Sequence, residues 1–409
     1  MTSQTTERLH YLDAARAFAL LLGIAFHASL SFYPFPIPWI VTDSSGSLFL
    51  TAMGVISHSF RMELFFLLAG FFSHLIYHRK GSGTFIRTRL VRIGIPFVVG
   101  WFLLRPLIVA AFIFQWPPGG EPFGFIKSLI AGYWTTFRGD EGYLVGTHLW
   151  FLYYLLLITA AFLILRRGFT KLIDQQGNIR AKIDSLFQAL AHSRFLFLPF
   201  IAVTIIPLFF MQGWGVDTPD QTLIPSLPVM TVYGLFFALG WLMHRNRELT
   251  QTLTRLTWGR GIWLIIAIGI TLALVTKQFD PEAANRPGLK LAHHLGYCTM
   301  MWLMVFGTIG VFRKFFAQPK AWVRYISDSS YWLYLGHIPL VMWLQVWVYH
   351  WNLHWTIEFT FVVVATLIPL FVSYHFLVRG TLIGKLLNGS KKKGFPISPT
   401  PIEKVRELT

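Results

Sequence analysis

Ten apolar stretches, at 12–33, 50–76, 93–115, 147–167, 195–213, 223–243, 261–277, 291–312, 329–349 and 355–378, recur along the chain. Each is close to the length that carries a helix through a bilayer. An unpaired backbone N–H or C=O is costly in hydrocarbon, so stretches of this kind have to close their hydrogen bonds within a helix. The expected fold class is therefore all-α: a polytopic membrane helical bundle of about ten transmembrane helices. The connections alternate in charge. Segments 78–92, 166–194, 244–260, 313–324 and the region after Arg379 hold most of the lysines and arginines, whereas the intervening connections carry only Lys127, Arg138, Arg286 and Lys290. Basic connections stay on the cytoplasmic side, which places both termini in the cytoplasm.

Composition agrees with this reading. A chain that is 54% hydrophobic and 13% charged lacks the polar surface of a soluble globular protein. Its net charge of +17 is mostly a topology signal, and nucleic-acid binding is not expected. The single cysteine, Cys298, rules out an intrachain disulfide and the cysteine patterns that bind metal, so no metal is expected. Residues 1–387 read as one membrane domain and 388–409 as a flexible cytoplasmic tail, with Lys391, Lys392 and Lys393 near anionic headgroups. Nothing ahead of the first span reads as a cleaved signal, and no internal repeat is visible. In the long 116–146 connection, the mixture of aromatic and polar residues from Phe123 to Phe137 predicts an interfacial helix.

Ionisable residues inside the spans carry the functional information, because lipid tolerates them only with a partner or a purpose. Arg16 and His27 lie in the first span with ten residues between them. In a helix, eleven steps make nearly three whole turns, so the two side chains share a face about 16 Å apart along the axis. Asp13 stands one turn before Arg16, as an ion-pair partner or as part of a grip on a ligand. In the second span His58 and Arg61 share a face while Glu63 points elsewhere; the alternatives are an inter-helix salt-bridge network and an arginine that meets a substrate anion. Arg105, His148 and His337 add polar groups expected to face the same cavity. Among the outer connections, Trp116, Tyr133, Trp134, Tyr143, Trp214 and Trp351 fit either sugar stacking or an interfacial aromatic belt, and Asp140, Glu141, Asp217 and Asp220 either bind sugar hydroxyls or are solvated.

Five segments occur in register with one family: RAFALLLGIAFH (Arg16–His27), FRMELFFLLAGFF (Phe60–Phe72), RLVRIGIP (Arg89–Pro96), HLWFLYYLL (His148–Leu156) and SYWLYLGHIPL (Ser330–Leu340). Over nearly its whole length the chain resembles the acyltransferase 3 family of integral-membrane acyltransferases. It departs at Ala69, where many members have serine, so a serine acyl-enzyme there is unsupported.

The resemblance implies a multi-pass enzyme of the bacterial inner membrane, most similar to members that succinylate osmoregulated periplasmic glucans. It would take succinyl or another acyl group from a cytosolic acyl-CoA co-substrate, with no tightly bound cofactor, and pass it to glucose hydroxyls outside. On this reading His27 is the general base, Arg16 aligns the donor, and Arg61 or His337 stabilises the oxyanion. Asp13, His58, Glu63, Arg105 and His148 line the substrate path, and Arg61 or Arg105 meets the free succinyl carboxylate. Arg87, Arg89 and Arg92 hold the nucleotide phosphates at the cytoplasmic mouth. Two alternatives remain open: an O-acetyltransferase acting on another envelope glycan, and a proton-coupled exporter or flippase of a glycan or anion. Oligomeric state is left open as well.

Overall fold

A computed structural model describes residues 9–35, 37–117, 124–138, 146–193 and 195–389. The tail lysines Lys391, Lys392 and Lys393, and the loop residues Asp140, Glu141 and Tyr143, lie outside the described residues. Among those described, every regular element is helical.

The first helix, α1 (His10–Ser29), is continuous. Next, α2 (Leu48–His58) starts where the Ser47 hydroxyl accepts from the Leu50 N–H, breaks at Ser59–Phe60, and resumes as α3 (Arg61–Arg89). Gly81, at φ 76°, reverses the chain within α3, a conformation that glycine adopts without a Cβ penalty. The return arm runs antiparallel to the first: the Phe85 ring meets Tyr77, and Arg89 donates to Ser73 Oγ and to the Ala69 carbonyl. It continues through a π-helical turn, Leu90–Gly94, into α4 (Ile95–Gln115). Pro96 has no N–H to offer the carbonyl four residues back, and that carbonyl, Arg92 O, accepts from the Tyr331 hydroxyl instead (2.7 Å).

After α4 come α5 (Phe125–Arg138), α6 (Trp150–Gly168), α7 (Asn178–Ala191), α8 (Leu198–Leu208), α9 (Leu227–Arg245), α10 (Arg247–Leu253) and α11 (Trp258–Leu274). The chain ends with α12 (Pro281–Ala284), α13 (Pro287–Phe315), α14 (Ala321–Val348), α15 (Trp355–Ser373) and α16 (Leu382–Asn388). Seven helical segments among the described residues are long and apolar enough to cross a membrane, and one of them, Leu48–Gln115, contains the Gly81 hairpin and so passes twice. At 28 residues α14 is also long enough, about 42 Å, although its serines, His337 and Gln345 make it more polar. The protein is an all-α, multi-pass membrane protein.

Two expectations need correction. The stretch 195–213 does not form a full span, because α8 has only 11 residues and is about 16 Å long. Pro207 lies at its end, and the chain beyond it is an irregular connection to α9.

The second concerns α5, which is not an interfacial helix. It runs back along α4, with Phe125 against Trp343, Gly132 against the Pro106 carbonyl and Ala110, and Phe137 stacked on Phe102. The small residues Ser128, Gly132 and Thr136 recur every fourth position and are buried, which lets the two backbones approach. Large apolar residues such as Ile126, Ile130 and Trp134 face outward, so the segment is a re-entrant half-span with a lipid-facing side.

Close backbone contact recurs where α3 crosses α9. A Cβ on Gly70 would lie 1.9 Å from the Phe237 carbonyl oxygen, and one on Gly240 would lie 1.9 Å from that of Leu67. At the centre, α1 packs against α2, α3, α13, α14 and α15, which places the Arg16–His27 face inside the bundle.

Candidate active site

A cavity of about 910 Å³ runs along this face of α1. At the basic end of the bundle it is lined by Asp13, Arg16, Arg89, Arg92, Asp328 and Asn388. At the opposite end it is lined by Trp39, His58, Thr147, Thr218, Asp220 and Gln221, with His27, Arg61, Arg105, His148 and His337 also on its wall. Arg16 and His27 therefore open onto one space, separated by nearly three turns of unbroken helix.

Near the basic end, Arg16 Nη2 donates to Ser327 Oγ (2.8 Å) and to the Ser327 carbonyl (3.2 Å), while Asp13 Oδ1 lies 3.6 Å away. The serine is the closer partner, so the Asp13–Arg16 ion pair is secondary. Arg89 is pinned to the first arm of its own hairpin, and Arg92 lines the cavity beside α16. Arg87 is exposed and is not part of the wall.

Around His27 the sequence has assembled an imidazole cluster. The rings of His27 and His337 are 5.4 Å apart between centroids, and those of His337 and His148 are 5.6 Å apart. A proline sets the geometry. Pro339 leaves the carbonyl of Leu335 without its helical donor, and His148 Nε2 lies 3.0 Å from it, so this nitrogen carries the proton. His337 Nδ1 lies 2.7 Å from the Tyr334 carbonyl, so it too is the protonated nitrogen, and neutral His337 carries its lone pair on Nε2. Both tautomers are assigned from the hydrogen-bond network. The Tyr334 hydroxyl in turn donates to the His148 carbonyl (2.7 Å). His27 is held through its backbone: Gln345 Nε2 donates to the carbonyls of His27 (3.0 Å) and Ala28 (3.1 Å). The same Gln345 accepts at Oε1 from the indole of Trp39 (2.9 Å), whose ring stacks on His27.

The guanidinium of Arg61 lies over the Phe26 ring, 4.4 Å from its centroid, and against Gly23. It is 6% exposed, its Nη1 has no hydrogen-bond partner, and no carboxylate lies within ion-pair distance among the described residues. Arg105 is buried on the same cavity wall, over Trp101. Glu63 is fully buried but lies off the cavity wall. That matches the helical offset between Arg61 and Glu63 within α3.

Sequence reasoning did not single out Ser327, Trp39, Thr218 or Gln221. Trp39, Thr218 and Gln221 sit in irregular connections, where no period predicts the direction of a side chain. The run Thr218–Thr222, polar apart from Pro219, follows the apolar stretch 195–213 and is the signal the sequence holds there.

A family model described as an acyltransferase domain, of the acyltransferase 3 type, matches residues 9–375, nearly the whole chain. The chain belongs to this acyltransferase family. Its relatives include the glucans biosynthesis protein C of Salmonella paratyphi B, Salmonella agona and Salmonella dublin. Each is 26% identical over 352 residues, a match that covers 84% of this chain and 84% of the relative. No solved structure matches the chain. For this acyltransferase, then, the histidine cluster and Arg61 lie in one cavity that reaches toward both ends of a membrane bundle.

Proposed function

We propose that the protein moves a succinyl group from cytosolic succinyl-CoA to glucose hydroxyls of a periplasmic glucan, across the inner membrane. The observation that carries this reading is the single cavity with Arg16, Arg89 and Arg92 toward the basic end and the His27 cluster toward the other. The basic end is cytoplasmic by its charge. Arg89 and Arg92 there face the phosphates of the nucleotide, since guanidinium groups suit such anions. The pantetheine arm then extends past Arg16 toward His27.

The acceptor hydroxyl oxygen attacks the thioester carbonyl carbon. The C–O bond forms, the C–S bond breaks, and the hydroxyl proton passes to His27 and from there to the departing sulfur of coenzyme A. His337 is a second proton acceptor beside His27, because its Nδ1–H is already committed to the Tyr334 carbonyl. In that neutral form it has no proton to donate to an oxyanion, which weighs against that role.

Arg61 suits the free carboxylate of a succinyl group. A buried guanidinium with no carboxylate within ion-pair distance among the described residues is costly to hold in lipid, and an anionic substrate group supplies a close counter-charge. The relatives' printed name refers to glucan biosynthesis, which favours a glucan acceptor over other envelope glycans.

The test is mass spectrometry of periplasmic glucans from cells lacking their own enzyme, complemented with this chain or with His27→Ala. Succinylated glucan with the intact chain alone is expected. An acetyl group in its place would reassign the donor, and modification that survives His27→Ala would refute the base.

A further inference from the structure

The connection from α8 to α9 carries two aspartates three residues apart, and the fold uses them differently. Asp217 is consumed within the loop, accepting from the Gln212 N–H (2.8 Å) and the Gly213 N–H (2.9 Å). Asp220 lines the cavity together with Thr218 and Gln221. Its Oδ1 accepts from Gln221 Nε2 (3.2 Å). Burial holds its carboxyl above the ordinary aspartate range, against the opposing effect of the Gln221 amide.

The loop is pinned to the bundle on three sides. His58 Nε2 is hydrogen-bonded to Thr218 Oγ1 (3.1 Å), the Thr147 N–H donates to the Asp220 carbonyl (3.1 Å), and the Tyr153 hydroxyl donates to the Leu223 carbonyl (2.8 Å). Side chains presented from such an anchored segment are held in place before any ligand arrives.

Charge points to the ligand. Among the described residues the cavity wall has three carboxylates: Asp13 and Asp328 toward the basic end, and Asp220 at the other. Next to Asp220 stand a hydroxyl and an amide, a set that offers both donors and acceptors to a polyhydroxylated molecule. A carboxylate accepts a hydroxyl proton well and repels a phosphorylated or carboxylated acceptor. Trp39, fixed through Gln345, adds an aromatic face to the same cavity.

We propose that Thr218, Asp220 and Gln221 form the acceptor subsite, which holds hydroxyls of an uncharged hexose residue and presents one of them to His27. This rests on the acyl-transfer reading above for its role in catalysis, but not for the binding itself. The three are positioning and specificity residues.

The experiment uses the full chain in detergent and titrates a neutral glucan oligosaccharide without donor, following tryptophan fluorescence. It compares the native chain with Asp220→Asn and Gln221→Ala, and measures the KM for donor and for acceptor in each. Expected are a Kd for the oligosaccharide raised tenfold or more in Asp220→Asn, a parallel rise in acceptor KM, and a donor KM unchanged within twofold. The unchanged donor KM reports that the variant is folded; if Asp220→Asn does not fold, Gln221→Ala and Thr218→Val carry the comparison. Equal oligosaccharide binding by native chain and variants overturns the subsite and leaves acyl transfer intact, as does failure of the native chain to bind the glucan while it still acylates it. Glucan binding that depends on Asp220, in a chain that transfers no acyl group, supports the subsite and refutes the reaction.

Discussion

Arg61→Gln separates a carboxylate-binding role from general stabilisation of the transition state. Gln keeps the approximate length and polarity of the side chain but removes the charge. The native guanidinium is nine-tenths buried, stacked on Phe26, and has Nη1 unpartnered. A succinyl carboxylate bound there would lose its counter-charge, at a cost of about 3–5 kcal/mol by analogy with breaking one half of a buried ion pair. At about 1.4 kcal/mol per tenfold, that is roughly a hundred- to a few thousand-fold in kcat/KM for succinyl-CoA. An acetyl group carries no such charge, so acetyl-CoA should lose less than about tenfold. The assay is initial-rate transfer to a glucan oligosaccharide with the two donors in turn, using enzyme purified in detergent. Equal losses with both donors would remove the carboxylate role and leave Arg61 as an oxyanion donor, for which about 2.7–4 kcal/mol is typical.

Pro339→Ala returns an N–H to α14 and gives the Leu335 carbonyl its helical donor, in competition with His148 Nε2. We expect thermal stability to hold or rise slightly while kcat falls about tenfold, because His148 loses the bond that fixes its tautomer; unchanged kcat would show that His148 needs no such anchor. Gly240→Leu forces a side chain into the Leu67 carbonyl at the α3–α9 crossing. Such overpacking typically costs about 1–3 kcal/mol, and the clash here is with backbone, so a lowered melting temperature or loss of the monodisperse species in size-exclusion chromatography is expected. A fully stable Gly240→Leu would mean that the two helices separate easily.

Much of the architecture was legible because lipid leaves so few choices. Apolar stretches of span length had to be helices, and nine of the ten expected stretches hold helices of at least 17 residues or, at 50–76, a broken α2–α3 pair. The Arg16–His27 alignment followed from the helical repeat alone, since both residues lie on one uninterrupted helix. The offset of Glu63 from Arg61 was legible for the same reason, since both lie in the first turn of α3, whereas His58 belongs to α2, beyond the Ser59–Phe60 break.

The limits of that reasoning have physical causes too. Helical period gives the direction of a side chain relative to its own axis, but not which neighbour that side faces. The Gly81 hairpin brings Arg89 back to the level of Ala69 and Ser73, and only the fold distinguishes it from exposed Arg87 two residues earlier. For α5, amphipathicity was equally compatible with lying on the bilayer and with dipping into it; the small-residue stripe against Pro106 and Ala110 decided for the second.

The sequence by itself therefore determined the class of fold, the basic and non-basic ends, and the shared face of Arg16 and His27, because bilayer thickness, backbone hydrogen bonding and the helical repeat act locally. Tertiary structure decided which tautomer His148 adopts, through a carbonyl that belongs to another helix. It also decided which of two nearby aspartates faces the cavity. Those outcomes depend on contacts between residues far apart in the chain, such as His148 with Leu335 and His58 with Thr218, and no local pattern encodes them.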